Sequence, residues 1–363
     1  MWLWRALKRL ALRRRRNKFG PPCDVVTPDL LHLILAHVDV GTAMNVRCVS
    51  TLCLDAVTRA GLQPLPGSQQ QRELQASLLT ERATWTPQRQ ADLALTVSRH
   101  PQITEAMRVT LVNWLVELHY KHRTFSERCL HKMVQIVDHY MATVVVGVVG
   151  RRHYQRVGVT AFKIACFETM RVYISMDTLT YVTDNTSTIE QIHACEGDMR
   201  AELGSGFFQL PTPSDFLPRL CAAARIGFTL PRPVRGTERP LSPERCVVLF
   251  FLDVAALCSD TSPLPPSLLA TAAIVGALRV LSLPTWTPQL EYYSTYARAP
   301  VHALTDRLEG AALTLQAPAL EAKYQRPRWG GTDEATGVQG CWHVIAAYLD
   351  RKRAAQVPVA AAL

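Results

Sequence analysis

The eleven histidines and ten cysteines of this 363-residue chain are the side chains best suited to nucleophilic, acid–base or metal chemistry. Their spacing argues against all three. There is no C-x-x-C pair and no Cys/His cluster at zinc-ligand spacing. The histidines are dispersed, and the chain has no P-loop, G-x-S-x-G, H-E-x-x-H or G-x-G-x-x-G. The sequence therefore predicts no catalytic residue, no metal and no cofactor. The scattered cysteines read as reduced, mostly buried thiols of an intracellular protein. What remains is recognition, which needs apolar side chains on one face beside a charge. Met107, Leu111, Trp114, Leu115 and Leu118 recur at the spacing of one helix face, and Val109, Val112 and Val116 fill much of the other side. Such a helix is buried over most of its surface. Arg108, Asn113 and Glu117 require part of it to reach a surface.

The rest of the chain must position that helix. Hydrophobic residues make up 48% and aromatics 7%, a composition of globular helical domains, and the length allows two or three of them. No run of about 18 uncharged apolar residues occurs, so no transmembrane span is expected. The net charge is +10, of which residues 1–18 supply +8 without a single acid. The remaining body is near neutral and gives no reason to expect nucleic-acid binding. Arg13, Arg14, Arg15 and Arg16 in the basic tail (1–23) read as a nuclear import signal, with cytoplasm and centrosome as further locations. Residues 24–60 read as a small helical unit with Pro28 at the first turn of its first helix. Residues 61–105 are a linker in which Leu74–Leu79 and Arg89–Val97 look helical. Thr124 with Glu127, and Ser187 with Glu190, are spaced as capping boxes for two further helices. Ser242 and Pro243 start a very apolar helix that includes Val247–Leu257, and Cys341–Arg353 reads as a short helix in the tail, 330–363.

Several of these stretches resemble the cyclin family. Met107–Glu117 is close to the signature M-R-x-x-L-x-D-W-L-x-E, with Asn113 in place of the Asp. Thr180–Thr186 resembles Y-I-T-D-(N/D)-T, Pro211–Leu217 resembles P-T-x-x-x-F-L, and Pro266–Ala273 resembles P-S-x-x-A-x-A-A. Trp286, Leu290, Lys323 and Tyr324 match later family positions. Residues 24–58 are similar to an F-box, through Pro28, Leu31, Ile34, Leu35, Val38, Val46 and Val49. The resemblance implies an all-α chain: an N-terminal F-box-like unit, then two five-helix cyclin folds at 106–204 and 205–329.

The same resemblance implies two binding surfaces. Kinase-activating cyclins use a Lys late in the third helix and a Glu in the fifth. Here Phe167 stands at the Lys position, Lys163 lies one turn earlier, and Glu196 holds the Glu position. A Phe cannot donate to carbonyl groups. The docking patch for Arg-x-Leu peptides falls on Met107, Leu111, Trp114, Glu117 and Gln155. An F-box, a missing Lys and a retained patch together predict the cyclin F branch. That is a non-catalytic substrate receptor of a cullin–RING ubiquitin ligase, with the ligase adaptor, the cullin and Arg-x-Leu proteins as partners. The alternative is a divergent mitotic-type cyclin that regulates a cyclin-dependent kinase.

Overall fold

The computed structural model describes residues 69–356, apart from 122–124, 146, 148, 227–241 and 327–341. The basic tail with Arg13–Arg16 and the F-box-like stretch with Pro28, Leu31, Ile34, Leu35, Val38, Val46 and Val49 lie outside the described residues. The described residues hold fourteen α-helices, two 3₁₀ turns and no strand. Two helices come first, α1 (Gln69–Thr84) and α2 (Pro87–Ala94). A five-helix fold follows: α3 (Glu105–Lys121), α4 (Glu127–Thr143), α5 (Arg151–Met170), α6 (Met176–Val182) and α7 (Ile189–Leu203). A second one has the same order: α8 (Pro213–Ala223), α9 (Pro243–Leu257), α10 (Pro266–Val280), α11 (Pro288–Ser294) and α12 (Arg298–Thr314). Two more helices end it, α13 (Pro318–Tyr324) and α14 (Trp342–Gln356). The all-helical pair of five-helix folds expected from the sequence is present.

The third helix is central in each fold. α5 packs against α3, α4, α6 and α7, and α10 packs against α8, α9, α11 and α12. Small residues make these approaches possible. A Cβ on Gly158 would lie 2.6 Å from Leu111 Cδ1, and one on Gly276 would lie 2.9 Å from the Phe251 ring. α9 is buried on nearly every side, so its Val, Leu and Phe side chains each contribute roughly 1.5–3 kcal/mol on leaving water.

Two capping expectations shift in register. α4 begins after Ser126, and Glu127 carries its carboxylate to Arg245 of α9, at 3.0 Å. Thr124, its expected partner in the capping box, lies outside the described residues. At α7 the capping box is formed by Thr188 and Gln191, one residue later than Ser187 and Glu190. Ser187 is buried and accepts instead from Arg156 Nε at 3.3 Å. Ser242 does cap α9, accepting from the Arg245 N–H.

The folds are joined by a buried polar knot. Arg108 on α3 donates from Nε and Nη2 to the two carboxylate oxygens of Asp138 on α4, at 2.9 and 2.7 Å. It also donates to the backbone carbonyls of Leu257 (3.0 Å) and Ala256 (3.1 Å) at the end of α9. Ser262 donates to Asp138 at 2.6 Å. Burial alone would push the guanidinium pKa down, but the Asp138 charge and its hydrogen bonds hold it above its usual range. In a second knot, Asp253 of α9 accepts from Lys323 Nζ (2.5 Å) and Tyr324 OH (2.8 Å). Burial opposes the Asp253 charge, yet Lys323 keeps its pKa below the usual carboxylate range.

The helices flanking the two folds cross over. Glu81 of α1 accepts from the N–H and hydroxyl of Ser267, at the start of α10 in the second fold. α13, which follows the second fold, packs on α3 of the first, where Asn113 Oδ1 accepts from the Ala319 N–H at 3.1 Å. Asn113 therefore has a job in this chain: it satisfies a free N–H at the α13 N-terminus.

Candidate protein-docking surfaces

Among the described residues no group of His, Cys, Asp and Glu is arranged to hold a metal ion, and no helix is long and apolar enough to cross a membrane. A cleft of about 70 Å³ between the folds is lined by Arg108, Asp138, His139, Trp85 and other residues. Its ion pair is fully spent on the polar knot. The surfaces on which the sequence placed partner contacts lie elsewhere, on α5–α7 and on α3.

The first is a groove of about 240 Å³ lined by Lys163, Phe167, Val172, Tyr173, Ile174, Glu196 and Arg200. It brings together all three residues that the sequence singled out for kinase contact. Lys163 Nζ donates to Glu196 across the α5–α7 seam. Arg200 donates to the other Glu196 oxygen at 3.1 Å and to Glu168 at 2.9 Å. Burial pushes against the Glu196 charge, but hydrogen bonds from Lys163 and Arg200 bring its pKa below the usual value. Phe167 faces Tyr173, ring centroids 5.0 Å apart, and the Arg171 guanidinium sits 5.0 Å from the Phe167 centroid.

Backbone geometry puts Tyr173 there. Arg171 ends α5 in the left-handed region (φ 56). Its N–H bonds to the Phe167 carbonyl and that of Val172 to the Cys166 carbonyl, so the chain doubles back over the helix end. Tyr173 is 81% exposed and Tyr181 is 79% exposed. Sequence reasoning missed Tyr173, Arg200 and Glu168. A left-handed Arg gives no local signal, because Gly is the residue that marks such a cap.

The second surface is the α3 face. Leu111 is buried against Gly158 of α5, while Met107 and Trp114 are half-buried and edge the core. Glu117 pairs with Lys121 one turn on, at 2.5 Å, and both side chains are substantially exposed. Gln155, one turn before Gly158, accepts from Thr186 Oγ1 at 3.3 Å. Met107 and Trp114 thus form the open part of this face, and Leu111 is their support.

Known proteins share this architecture. The cyclin N-terminal domain matches residues 76–205 and the cyclin C-terminal domain residues 211–333. Cyclin-B1-3 of Arabidopsis thaliana is 30% identical over 200 residues, covering 55% of this chain and 44% of that protein. The G2/mitotic-specific cyclin-B3 of Gallus gallus is 29% identical over 215 residues, covering 58% and 48%. The chain spans about half the length of the curated relatives it matches. The crystal structure of a viral cyclin from herpesvirus saimiri superposes with a TM-score of 0.52 at 18% identity, over 66% of this chain and 97% of that one. At that identity the superposition speaks for the fold alone.

These relatives correct the expectation of a ubiquitin-ligase receptor. They are mitotic B- and A-type cyclins, so the cyclin F branch, the ligase adaptor and the cullin are withdrawn. The F-box reading rested on a short apolar pattern with a proline at a helix start, which many helical pairs share. Two matched cyclin domains in tandem, on two five-helix folds built around α5 and α10, place this chain in the cyclin family.

Proposed function

We propose that this chain is a non-catalytic regulatory subunit of a cyclin-dependent protein kinase, of mitotic type. The observation that carries the reading is the Lys163–Glu196 pair, held across the α5–α7 seam at the mouth of an open groove beside exposed Tyr173. The similarity to mitotic cyclins supports it. Affinity purification of the full chain from dividing cells tests it: a cyclin-dependent kinase is the expected partner, and Glu196→Ala should reduce its recovery. Recovery of no kinase by the wild-type chain refutes the reading. Histone-kinase activity is expected to be weak, because Phe167 stands where a Lys would donate.

The α3 face supports a companion reading, in which Arg-x-Leu proteins dock on Met107, Trp114 and Glu117. Glu117 would share its charge with Lys121, so the Arg contributes about 0–1 kcal/mol at this exposed site. A labelled Arg-x-Leu peptide should bind the wild type better than Met107→Ala/Trp114→Ala. No preference over an Ala-x-Ala control ends that reading. The Arg13–Arg16 cluster supports nuclear import as a further proposal, tested by following a variant with these four residues changed to Ala.

A further inference from the structure

We propose that Thr86 is a phosphorylation site: a proline-directed protein kinase transfers a phosphoryl group to its hydroxyl, and Arg89 receives the phosphate. The inference stands apart from the kinase-subunit reading and does not need it. Three observations lead to it.

The first is access. The described residues hold five Ser-Pro or Thr-Pro pairs, Thr86-Pro87, Thr212-Pro213, Ser242-Pro243, Ser262-Pro263 and Thr287-Pro288. Four of them open helices, because a hydroxyl can cap free N–H groups and Pro has none to lose. Capping explains those pairs without any modification. Thr212 is fully buried, Ser262 spends its hydroxyl on Asp138, and Ser242 and Thr287 are half-buried. Thr86, by contrast, is exposed together with Pro87 and Gln88. They lie at the turn from α1 into α2, which is held from within by the Gln90 side chain donating to the Trp85 carbonyl at 3.1 Å. A kinase subsite that has no partner for the N–H of the next residue selects Pro there, since any other residue would bury an unpaired donor.

The second is an unspent cation. Arg89 lies three residues past Thr86, and its backbone N–H donates to Thr86 Oγ1 at 3.2 Å. Its guanidinium has no partner among the described residues, although Nη1 is shut away from water. Burial lowers its pKa from the ordinary value. Arg108 and Arg279 are matched by acids instead. A phosphothreonine carries a charge of about −1.5 to −2 and three acceptor oxygens, which is what Arg89 lacks. The acid of α2, Asp92, lies six residues past Thr86 and already accepts from Gln88 at 3.0 Å.

The third is the place. Trp85, the residue before Thr86, bridges the two folds. Its Nε1 donates to the Pro263 carbonyl between α9 and α10 (2.9 Å), and its ring meets His139 of α4 edge-on, centroids 5.5 Å apart. His139 Nε2 is also buried without a partner among the described residues, and Arg89 is near enough to disfavour a charge on it. Drawing Arg89 to a phosphate on Thr86 therefore changes the charge at this seam. In the transfer, Thr86 Oγ1 forms the new bond to the γ-phosphorus of ATP. The bond from that phosphorus to the bridging oxygen breaks, ADP leaves with the electron pair, and the hydroxyl proton passes to the base of the kinase.

The test incubates the purified full chain with ATP and two purified proline-directed kinases, one cyclin-dependent and one mitogen-activated. Tandem mass spectrometry maps the phosphate, there and on full chain isolated from dividing cells. Phosphate at Thr86 is expected, and Thr86→Ser should be modified like the wild type. Pro87→Ala should slow incorporation at this position roughly tenfold, the cost of one unpaired N–H. The phosphorylated chain should melt higher than Thr86→Asn treated in the same way, a variant that keeps an acceptor at the cap and shares any other modified sites. Arg89→Gln, phosphorylated to completion, should lose that rise. Circular dichroism checks that each variant is folded. Absence of phosphate at Thr86 from all three samples overturns the site. Incorporation into Pro87→Ala at the wild-type rate overturns the proline-directed class, and an unchanged rise in Arg89→Gln overturns its role as receiver.

Discussion

Replacing Arg108 by Met should cost the fold more than any other single change at the seam between the two halves. Met keeps much of the aliphatic volume and removes the guanidinium. Asp138, about as buried as Arg108 itself, would retain only the Ser262 hydroxyl at 2.6 Å, and the carbonyls of Ala256 and Leu257 would lose their donor. Breaking one side of a buried ion pair costs about 3–5 kcal/mol, because a charge is left in a medium that cannot solvate it. A domain of ordinary stability holds about 5–15 kcal/mol in total. The variant should therefore unfold at a much lower urea concentration, followed by circular dichroism. Adding Asp138→Asn removes the stranded charge, so the double variant should recover about 1–3 kcal/mol relative to the sum of the single changes. A loss below about 1 kcal/mol for Arg108→Met, or strict additivity in the cycle, would falsify the claim that this pair holds the seam.

Further outcomes follow from buried groups. Lys132 is enclosed without a carboxylate, donating to the Leu210 carbonyl (2.7 Å) and Gln135 Oε1 (2.6 Å), and burial, then Arg128, lowers its pKa to about 7. The unfolded chain holds that proton to higher pH, so stability should rise from pH 7 to 8.5 by about 1 kcal/mol per unit, a slope that Lys132→Met removes. His139 lies between the rings of Trp85 and Phe207, and burial, then Arg89, lowers its pKa to about 3. Below pH 6.5 the unfolded state takes up a proton that the native state refuses, so about 2 kcal/mol is lost by pH 5. His139→Phe should abolish this share, leaving the similar one from His119, which a urea titration at pH 7.5 and 5 resolves. Gly158→Ala should destabilise by about 1–3 kcal/mol in thermal melts, since its Cβ would sit 2.6 Å from Leu111 Cδ1; an unchanged melt would mean that Leu111 moves freely.

Much of the fold was legible because helix periodicity and small-residue runs are local signals. The Met107–Leu118 stripe and the Pro266–Ala273 run both lie on helices that pack as their patterns require. The site was half legible. Lys163, Phe167 and Glu196 line one groove. What stayed hidden depends on side-chain partners and backbone turns that no periodicity marks. Glu127 meets Arg245, 118 residues on, and Glu117 turns to Lys121. Tyr173 reaches Phe167 only because Arg171 adopts a left-handed backbone. The ligase expectation failed for a different reason: it took its weight from a small apolar helix pair, and such a pattern carries little information about which partner it meets.

The crossed flanking helices bear on how this protein is made. Glu81 waits for Ser267, and Asn113 waits for Ala319, 206 residues later. At about 5–20 residues per second, the ribosome takes roughly 10–40 s to cover that distance. Throughout that interval the first fold exists as a nascent chain whose α3 face has not yet received α13. An apolar surface exposed for that long invites chaperones and premature association. Neither half should be obtainable intact by cutting in the short link between α7 and α8, because each half would keep a helix that belongs on the other. Synthesis must reach Tyr324 before the Asp253 knot can close. The two repeats are separate in pattern but mature together, and a stop codon late in the second would leave the first unfinished as well.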